Sequence, residues 1–191
     1  FLSLSIAMID RRRMILGSIA FGLALATKQT AWLLMPLYVY WIWHIYSGNK
    51  KLVWQYIGLT IAVAGIILLP FFLWNPGAMY DDTIRYLSGV VPWSYPISNA
   101  TLAQYLVQFG IVKNPWTPVS LWPLQLLAYA VTSWWLYYWL KKNITTSKVF
   151  AAAAVITLVA TITNRVGADN YFMAPLLLAI FSYAYYVREQ T

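Results

Sequence analysis

Long apolar runs separated by short basic segments constrain this chain more than any other feature of its sequence. Four such runs cover residues 52–74, 119–140, 149–163 and 171–187. A transmembrane helix needs about 17–25 mostly apolar residues, and three of the four runs reach that length. Only 9% of the 191 residues are charged, against about 25% in a typical soluble domain. The sequence therefore predicts an all-α, polytopic membrane protein whose residues 1–191 form a single transmembrane domain.

A fifth apolar run, residues 14–46, is too long for one membrane span. As a single helix its 33 residues would measure about 50 Å, against about 30 Å for the hydrocarbon core of a bilayer. The polar stretch 27–30, which contains Lys28, interrupts this run. We expect two short helices, 14–26 and 31–46, joined by a turn that places Lys28 at the membrane surface.

The distribution of lysines and arginines supports this hairpin. The hairpin puts nine of them on one side of the membrane and four on the other, whereas a continuous helix splits them six and six and leaves Lys28 inside. An excess of basic residues marks the cytoplasmic face, so we expect about six membrane segments, counting a truncated first one, and a cytoplasmic C-terminus. The larger group is Arg11, Arg12, Arg13, Lys50, Lys51, Lys141, Lys142, Lys148 and Arg188, and the smaller group is Lys28, Arg85, Lys113 and Arg165.

The remaining composition narrows the function class. The chain has no cysteine, which excludes a disulfide, a thiol nucleophile and a cysteine-ligated zinc site. The net charge of +8 comes from residues at the ends of apolar runs, so it favours membrane lipid as a partner and not nucleic acid. The single histidine, His44, lies among aromatic residues typical of a membrane interface. Because the first residue is Phe1, we expect the C-terminal part of a longer protein. The compact loops and the lack of cysteine favour a prokaryotic plasma membrane.

Residues 75–118 form the longest segment on the outer face, and their pattern predicts one or two interfacial helices. Pro76 suits the first turn of a helix. Asp81 and Asp82 stand four and three residues before Arg85, which places both carboxylates within reach of the guanidinium. A second short helix is expected to begin near Thr101, which has capping-box spacing to Gln104.

Charged side chains gather on this outer face in a chain that otherwise avoids charge. Lys28, Arg85 and Arg165 together can hold a phosphate, because ammonium and guanidinium groups pair with phosphate oxygens. A nearby aspartate can act as a base or bind a divalent metal, although no metal ligand set and no firm cofactor is indicated. Each of these residues can equally be solvated surface, with Asp81, Asp82 and Arg85 forming a salt-bridged helix face.

Three segments resemble the GT-C superfamily of integral-membrane glycosyltransferases. The first, "RRRMILGSIAFGLALATKQTAWLLMPL", resembles a recurring segment in which basic residues lead into a short Gly/Ala-rich helix, a Lys at the outer turn and a Pro-containing helix. The second, "PFFLWNPGAMYDDTIRY", is similar to the next outer segment of the alpha-mannosyltransferase-like and uncharacterised bacterial and archaeal branches. The third, "NRVGADNYFMAPLLLAI", resembles their last hairpin.

This resemblance implies an inverting hexosyltransferase that takes a sugar from a polyprenyl-phosphate donor on the outer face and passes it to a glycan, lipid or protein acceptor. The catalytic acidic residue is then expected upstream of Phe1. The resemblance also implies residue roles within the chain. Donor-phosphate binding falls to Lys28, Arg165 and Arg85, and substrate orientation to Gln29, Asp81, Asp82, Asn170 and Tyr171.

Two other function classes fit the sequence. A transporter or flippase for lipid-linked sugars would explain a broken helix at 14–46, although such proteins show inverted internal symmetry and none is visible here. A non-catalytic membrane scaffold would leave every outer charge as solvated surface. Clustering of the outer charges around one cavity would favour the enzyme over the scaffold.

Overall fold

The computed structural model describes residues 1–86, 89–91, 94–98, 101–165 and 171–191, and its secondary-structure elements are helices, so the all-α prediction is confirmed. A 3₁₀ helix (Gln29–Leu34) and a π-helical turn (Asp81–Arg85) accompany nine α-helices in these ranges. The α-helices are α1 (Leu2–Asp10), α2 (Met14–Thr27), α3 (Met35–Ile45), α4 (Lys50–Trp74), α5 (Pro76–Tyr80), α6 (Leu102–Gln108), α7 (Trp122–Lys142), α8 (Thr146–Thr163) and α9 (Met173–Gln190).

The long run 14–46 folds as the predicted hairpin. Helix α2 ends at Thr27, and Lys28 then has extended backbone angles (φ −154°, ψ 130°) before the 3₁₀ helix leads into α3. The Tyr38 ring stacks on Phe21 with 4.2 Å between ring centres, and its hydroxyl donates to Ser18 Oγ at 2.9 Å. Since Ser18 and Phe21 belong to α2, helix α3 runs back along α2.

Helix α8 lies at the centre of the fold and packs against α1, α3, α7 and α9. Its buried face is built largely from small side chains, among them Ala152 and Ala153. Small residues let neighbouring helix backbones approach closely, which is how helices pack in the absence of bulky interlocking side chains. Four of the other helices are therefore held together by this one central element.

The cations predicted for the two sides occur at opposite ends of the helix bundle. At one end, Arg188 pairs with Asp10 at 3.3 Å, and Thr146 donates to the same aspartate at 2.6 Å. The Thr60 hydroxyl of α4 donates to Ser18 O of α2, and Val63 lies against Gly22. The two helices therefore run parallel, which brings the start of α4 to this end as well. We call it the basic end. The opposite end carries the turn at Lys28, the described residues of the segment 75–119 and Arg165, and we call it the outer end after its predicted position.

Among the residues that the structure describes, two helices, α4 and α8, are long and apolar enough to cross a membrane, so the finer prediction of about six membrane segments is not confirmed. Helices α2 and α3 have 14 and 11 residues and are short for a 30 Å core. Helix α4 buries only 17% of its most apolar window, whereas α8 buries 61%. Large apolar side chains such as Ile66, Phe71 and Leu73 therefore face outward from α4, a property of membrane or protein interfaces.

The outer segment contains the short helices that its sequence predicts. Asn75 caps α5 by accepting from the Ala78 N–H at 3.0 Å, with Pro76 in the first turn. Thr101 caps α6 by accepting from the Gln104 N–H at 3.4 Å. The predicted first interfacial helix is divided in the structure, because the α-helical turn of α5 passes into the π-helical turn Asp81–Arg85.

Candidate functional site

Among the described residues of the outer end, Arg165 is the most buried charged residue, with 2% of its surface exposed. It follows the end of α8, and its guanidinium donates to four backbone carbonyls. Nε reaches Tyr95 O at 2.7 Å, Nη2 reaches Pro115 O at 3.2 Å, and Nη1 reaches the carbonyls of Thr117 and Val119 at 3.1 and 3.4 Å. Burial lowers the pKa of Arg165 from its ordinary value, but an arginine side chain stays protonated in proteins. The side chain thus binds a ring of carbonyl dipoles with a retained positive charge.

The chain segments around Arg165 form an ordered cap over the outer end. Gly89 has φ +75°, and a Cβ there would lie 2.6 Å from Arg165 Nη1, so glycine is required both by the backbone and by the space. The Ile97 N–H donates to Pro115 O at 2.9 Å, and the Ser98 N–H donates to Arg165 O at 3.4 Å. Beneath these bonds lies a small apolar cluster of Ile97, Ala103, Val112 and Leu121. We refer to the described residues between Gly89 and Val119 as the Arg165 cap.

Lys28 lies at the same end in a different environment. Its side chain is exposed, and its Nζ lies 4.3 Å from the centre of the Tyr171 ring. A cation over an aromatic face is attracted by the ring quadrupole. Within the described ranges no carboxylate pairs with Lys28. The ammonium is therefore positioned by Tyr171 while its charge is not neutralised by an ion pair there.

Two side chains fix the turn that carries Lys28. The Trp32 indole donates to Leu25 O at 2.8 Å, which satisfies a carbonyl in the last turn of α2. The Tyr129 hydroxyl of α7 donates to Leu33 O. Gln29 opens the 3₁₀ helix and is half-buried. The position of Lys28 thus follows from contacts on both the helix before it and a helix about 100 residues later.

Asp81 and Arg85 form a separate group on the π-helical turn. Arg85 Nη1 lies 2.9 Å from Asp81 Oδ1, and both side chains are about 42–43% exposed; Asp82 is exposed. An exposed i,i+4 ion pair contributes only a few tenths of a kcal/mol, so it does little for folding. Gly89, four residues after Arg85, contacts Arg165, and this links the ion pair to the Arg165 cap.

A groove opens between α3 and α7 below the Lys28 turn. Its volume is about 120 Å³, and its walls are mostly apolar, with Tyr40, Tyr129, Ser133 and Tyr137 supplying hydroxyl groups. Tyr40 and Tyr137 meet edge to face across it, with 5.4 Å between ring centres. A space of this kind accepts part of a hydrocarbon chain more readily than a polar ligand.

The structure brings some of the predicted site residues together. Lys28 contacts Tyr171, Asp81 contacts Arg85, and Gln29 adjoins Lys28. Four of the five N–H groups of Arg165 donate to the cap, and its contact with the donor phosphate stays a prediction. Asn170 lies outside the described residues. No group of three His, Cys, Asp or Glu side chains that could hold a metal occurs in the part of the chain that the structure describes.

Sequence reasoning missed the carboxylates of the basic end. Glu189 accepts from the Ser147 N–H at 3.0 Å and from the Ser147 hydroxyl at 2.5 Å, so the last helix caps the start of α8. Asp10 is held by Thr146 and Arg188. The available signal was their rarity, because these are two of only five acidic residues and both stand among the larger group of cations.

The outer end thus carries an exposed ammonium on the Tyr171 ring, the cap held by Arg165 and, between α3 and α7, an apolar groove. Comparison of the chain with protein-family models, with curated proteins and with solved structures finds no match.

Proposed function

We propose that this chain is the membrane part of a glycosyltransferase that moves a sugar from a polyprenyl-phosphate donor to a glycan, lipid or protein acceptor on the outer face. The observation that carries the proposal is the state of Lys28, which is exposed, held against Tyr171 and without a carboxylate partner in the described ranges. A phosphate on a lipid carrier is an anion at the membrane surface, where such an ammonium can pair with it.

The chemistry assigns one task to each group. Transfer breaks the bond between the anomeric carbon and the phosphate oxygen and forms a bond from that carbon to an acceptor hydroxyl oxygen. Negative charge builds on the departing phosphate, and Lys28 stabilises it electrostatically. The hydroxyl proton goes to an acidic residue acting as base, which the superfamily resemblance puts upstream of Phe1. Asp81, Asp82 and Gln29 orient the acceptor or Arg85 in this proposal.

In this proposal Arg165 supports the outer end by holding the cap in place. A bound phosphate gains most from donors that need no rearrangement when charge develops, and the four carbonyl contacts of Arg165 keep the cap rigid. The groove between α3 and α7 offers an apolar surface that suits the lipid part of the donor.

The membrane placement proposed here has about six segments, with Lys28 and the cap outside and the C-terminus in the cytoplasm of a prokaryotic cell. It is supported by the outward-facing apolar surface of α4 and by the cations gathered at the basic end. Because the chain has no cysteine, a single introduced cysteine is the only thiol within residues 1–191. Lys28→Cys is expected to react with a membrane-impermeant maleimide added to intact cells, and Lys142→Cys only after lysis. Labelling of position 142 but not 28 in intact cells would contradict this orientation.

The transfer reaction tests the function. In membranes that contain the full-length protein, Lys28→Ala is expected to lower sugar transfer from a polyprenyl-phosphate donor roughly 100-fold, the loss typical for one charge-stabilising donor. Lys28→Arg keeps a positive charge and is expected to retain much of the rate. Lys113→Ala removes another exposed outer lysine and serves as the matched control. Equal rates for Lys28→Ala and Lys113→Ala would refute the role of Lys28, and donor movement across the membrane without transfer would favour a flippase.

A further inference from the structure

We propose that the turn between α7 and α8, at the basic end, binds the headgroup of an anionic phospholipid. The proposal rests on the charge and the aromatic surface of this turn and needs only a membrane around the bundle, so it stands independently of the glycosyltransferase proposal. The residues concerned are Lys141, Lys142 and Lys148, with Trp135 and Trp139 on the preceding turns of α7.

The three lysines bracket one short turn. Lys141 and Lys142 end α7 and are exposed, and Lys148 stands in the first turn of α8. Lys148 Nζ donates to Asn143 O at 2.9 Å, which folds its side chain back over the turn. Three positive charges are thus presented within eight residues of sequence around a single loop.

None of these three lysines forms an ion pair in the described part of the chain. Two carboxylates reach the start of α8 beside them, and each is held by other groups. Asp10 pairs with Arg188 and accepts from Thr146, while Glu189 accepts from the Ser147 N–H and from the Ser147 hydroxyl. With Arg188 included, four cations face two carboxylates here, so the turn keeps an excess of positive charge that is complementary to a phosphodiester.

An aromatic strip adjoins the lysines and selects a lipid over a free anion. The rings of Trp135 and Trp139 are parallel within 2°, with 6.3 Å between their centres, and Lys148 Nζ lies 5.5 Å from the centre of the Trp139 ring. Tryptophan prefers the headgroup level of a bilayer, where one side of the ring is apolar and the indole N–H is wet. A phospholipid can place its phosphate on the lysines and its glycerol and upper acyl groups along this strip.

Basic residues beside a membrane each strengthen binding to anionic lipid about fivefold. A site with three of them should therefore discriminate clearly between anionic and zwitterionic lipids. A diffuse positive surface would show the same preference but would depend on the total charge of the basic end, not on this turn.

The test is native mass spectrometry of the full chain in a zwitterionic detergent, with phosphatidylglycerol or phosphatidylcholine added. We expect one retained phosphatidylglycerol per chain and no comparable retention of phosphatidylcholine. Lys141→Gln/Lys142→Gln is expected to reduce the retained phosphatidylglycerol at least tenfold; it leaves the Lys148–Asn143 contact intact, so the fold is preserved. The matched control is Lys50→Gln/Lys51→Gln, which removes two adjacent exposed lysines at the same end and is expected to keep the lipid.

Three results would overturn the proposal. Equal loss of phosphatidylglycerol in both double variants would show attraction to the total charge. Equal retention of the two lipids would show that the turn does not recognise the anionic headgroup. Displacement of phosphatidylglycerol by millimolar inorganic phosphate would assign the turn to a free anion and not to a lipid.

Discussion

Arg165→Lys is expected to loosen the Arg165 cap while keeping the positive charge. The guanidinium spreads its donors over four carbonyls, whereas an ammonium offers three N–H groups from one point. We expect lysine to retain about two of the four hydrogen bonds. Hydrogen bonds to a charged group contribute about 1.5–3 kcal/mol each, so losing two lowers the free energy of opening the cap by about 3–6 kcal/mol. The lower figure already corresponds to a roughly 100-fold increase in the open population, at about 1.4 kcal/mol per tenfold change.

Hydrogen–deuterium exchange read by mass spectrometry measures this opening directly. The reporters are the amides of Ile97 and Ser98, which donate to Pro115 O and Arg165 O inside the cap. Their exchange is expected to accelerate about 100-fold or more in Arg165→Lys. Arg188→Lys serves as the control, because Arg188 is 63% exposed and lies at the opposite end. Unchanged exchange at Ile97 and Ser98 in Arg165→Lys would refute the reasoning that four carbonyl contacts hold the cap.

Two further predictions concern packing and pH. Gly22→Ala places a Cβ 2.7 Å from Thr60 O, so α2 and α4 must separate at a cost of about 1–3 kcal/mol. The control Gly58→Ala places a Cβ that meets nothing within 4 Å, and it is expected to be neutral or slightly stabilising. Thermal unfolding in detergent compares the two variants, and equal melting temperatures would contradict the close contact. Burial raises the pKa of Glu189, but the hydrogen bonds from Ser147 outweigh burial and hold that pKa below its ordinary value. The stability from this carboxylate is therefore present at neutral pH and is lost as the pH falls below about 4. Glu189→Gln should lower the melting temperature at pH 7 and make the melting temperature fall less between pH 7 and pH 3. An unchanged dependence of the melting temperature on pH would contradict the capping role.

The features that could be predicted from the sequence are those with local causes. The turn at Lys28 follows from the length of the apolar run, because 33 residues cannot form one straight span, and from the polar stretch 27–30 that interrupts it. Pro76 marks the first turn of α5, the cap at Thr101 stands immediately before its helix, and the Asp81–Arg85 pair follows from helical spacing. For the cap and the ion pair the partners lie within four residues of each other, so the pattern is visible in the printed sequence.

The features that could not be predicted depend on distant contacts. Arg165 donates to carbonyls 46–70 residues away. Every residue has a backbone carbonyl, so the sequence does not indicate which carbonyls accept from this arginine. Glu189 caps a helix 42 residues before it. The sequence therefore indicated that Arg165 belongs to the outer end but not that its charge is committed to holding a cap.

The number of membrane segments follows less directly from apolar runs than the helices themselves do. Helix α7 contains four tryptophans and three tyrosines, and α9 contains three tyrosines; the polar atoms of these side chains reduce their tendency to enter hydrocarbon. Helix α2 is apolar but short. A run of apolar and aromatic residues thus predicts a helix, but it does not establish how deeply that helix lies in a bilayer.

The contrast between α4 and α8 bears on which substitutions the chain can accept. Most of α4 faces outward, so replacing Ile66 with Leu, Val or Phe does not change the packing inside the bundle. At such a position selection acts only on the hydrophobicity of the side chain. On α8 the requirement is reversed, because Ala152 and Ala153 are almost fully buried and a larger side chain of equal hydrophobicity has no room. Natural variants of this chain should therefore drift freely among apolar residues along α4 and keep small residues along α8.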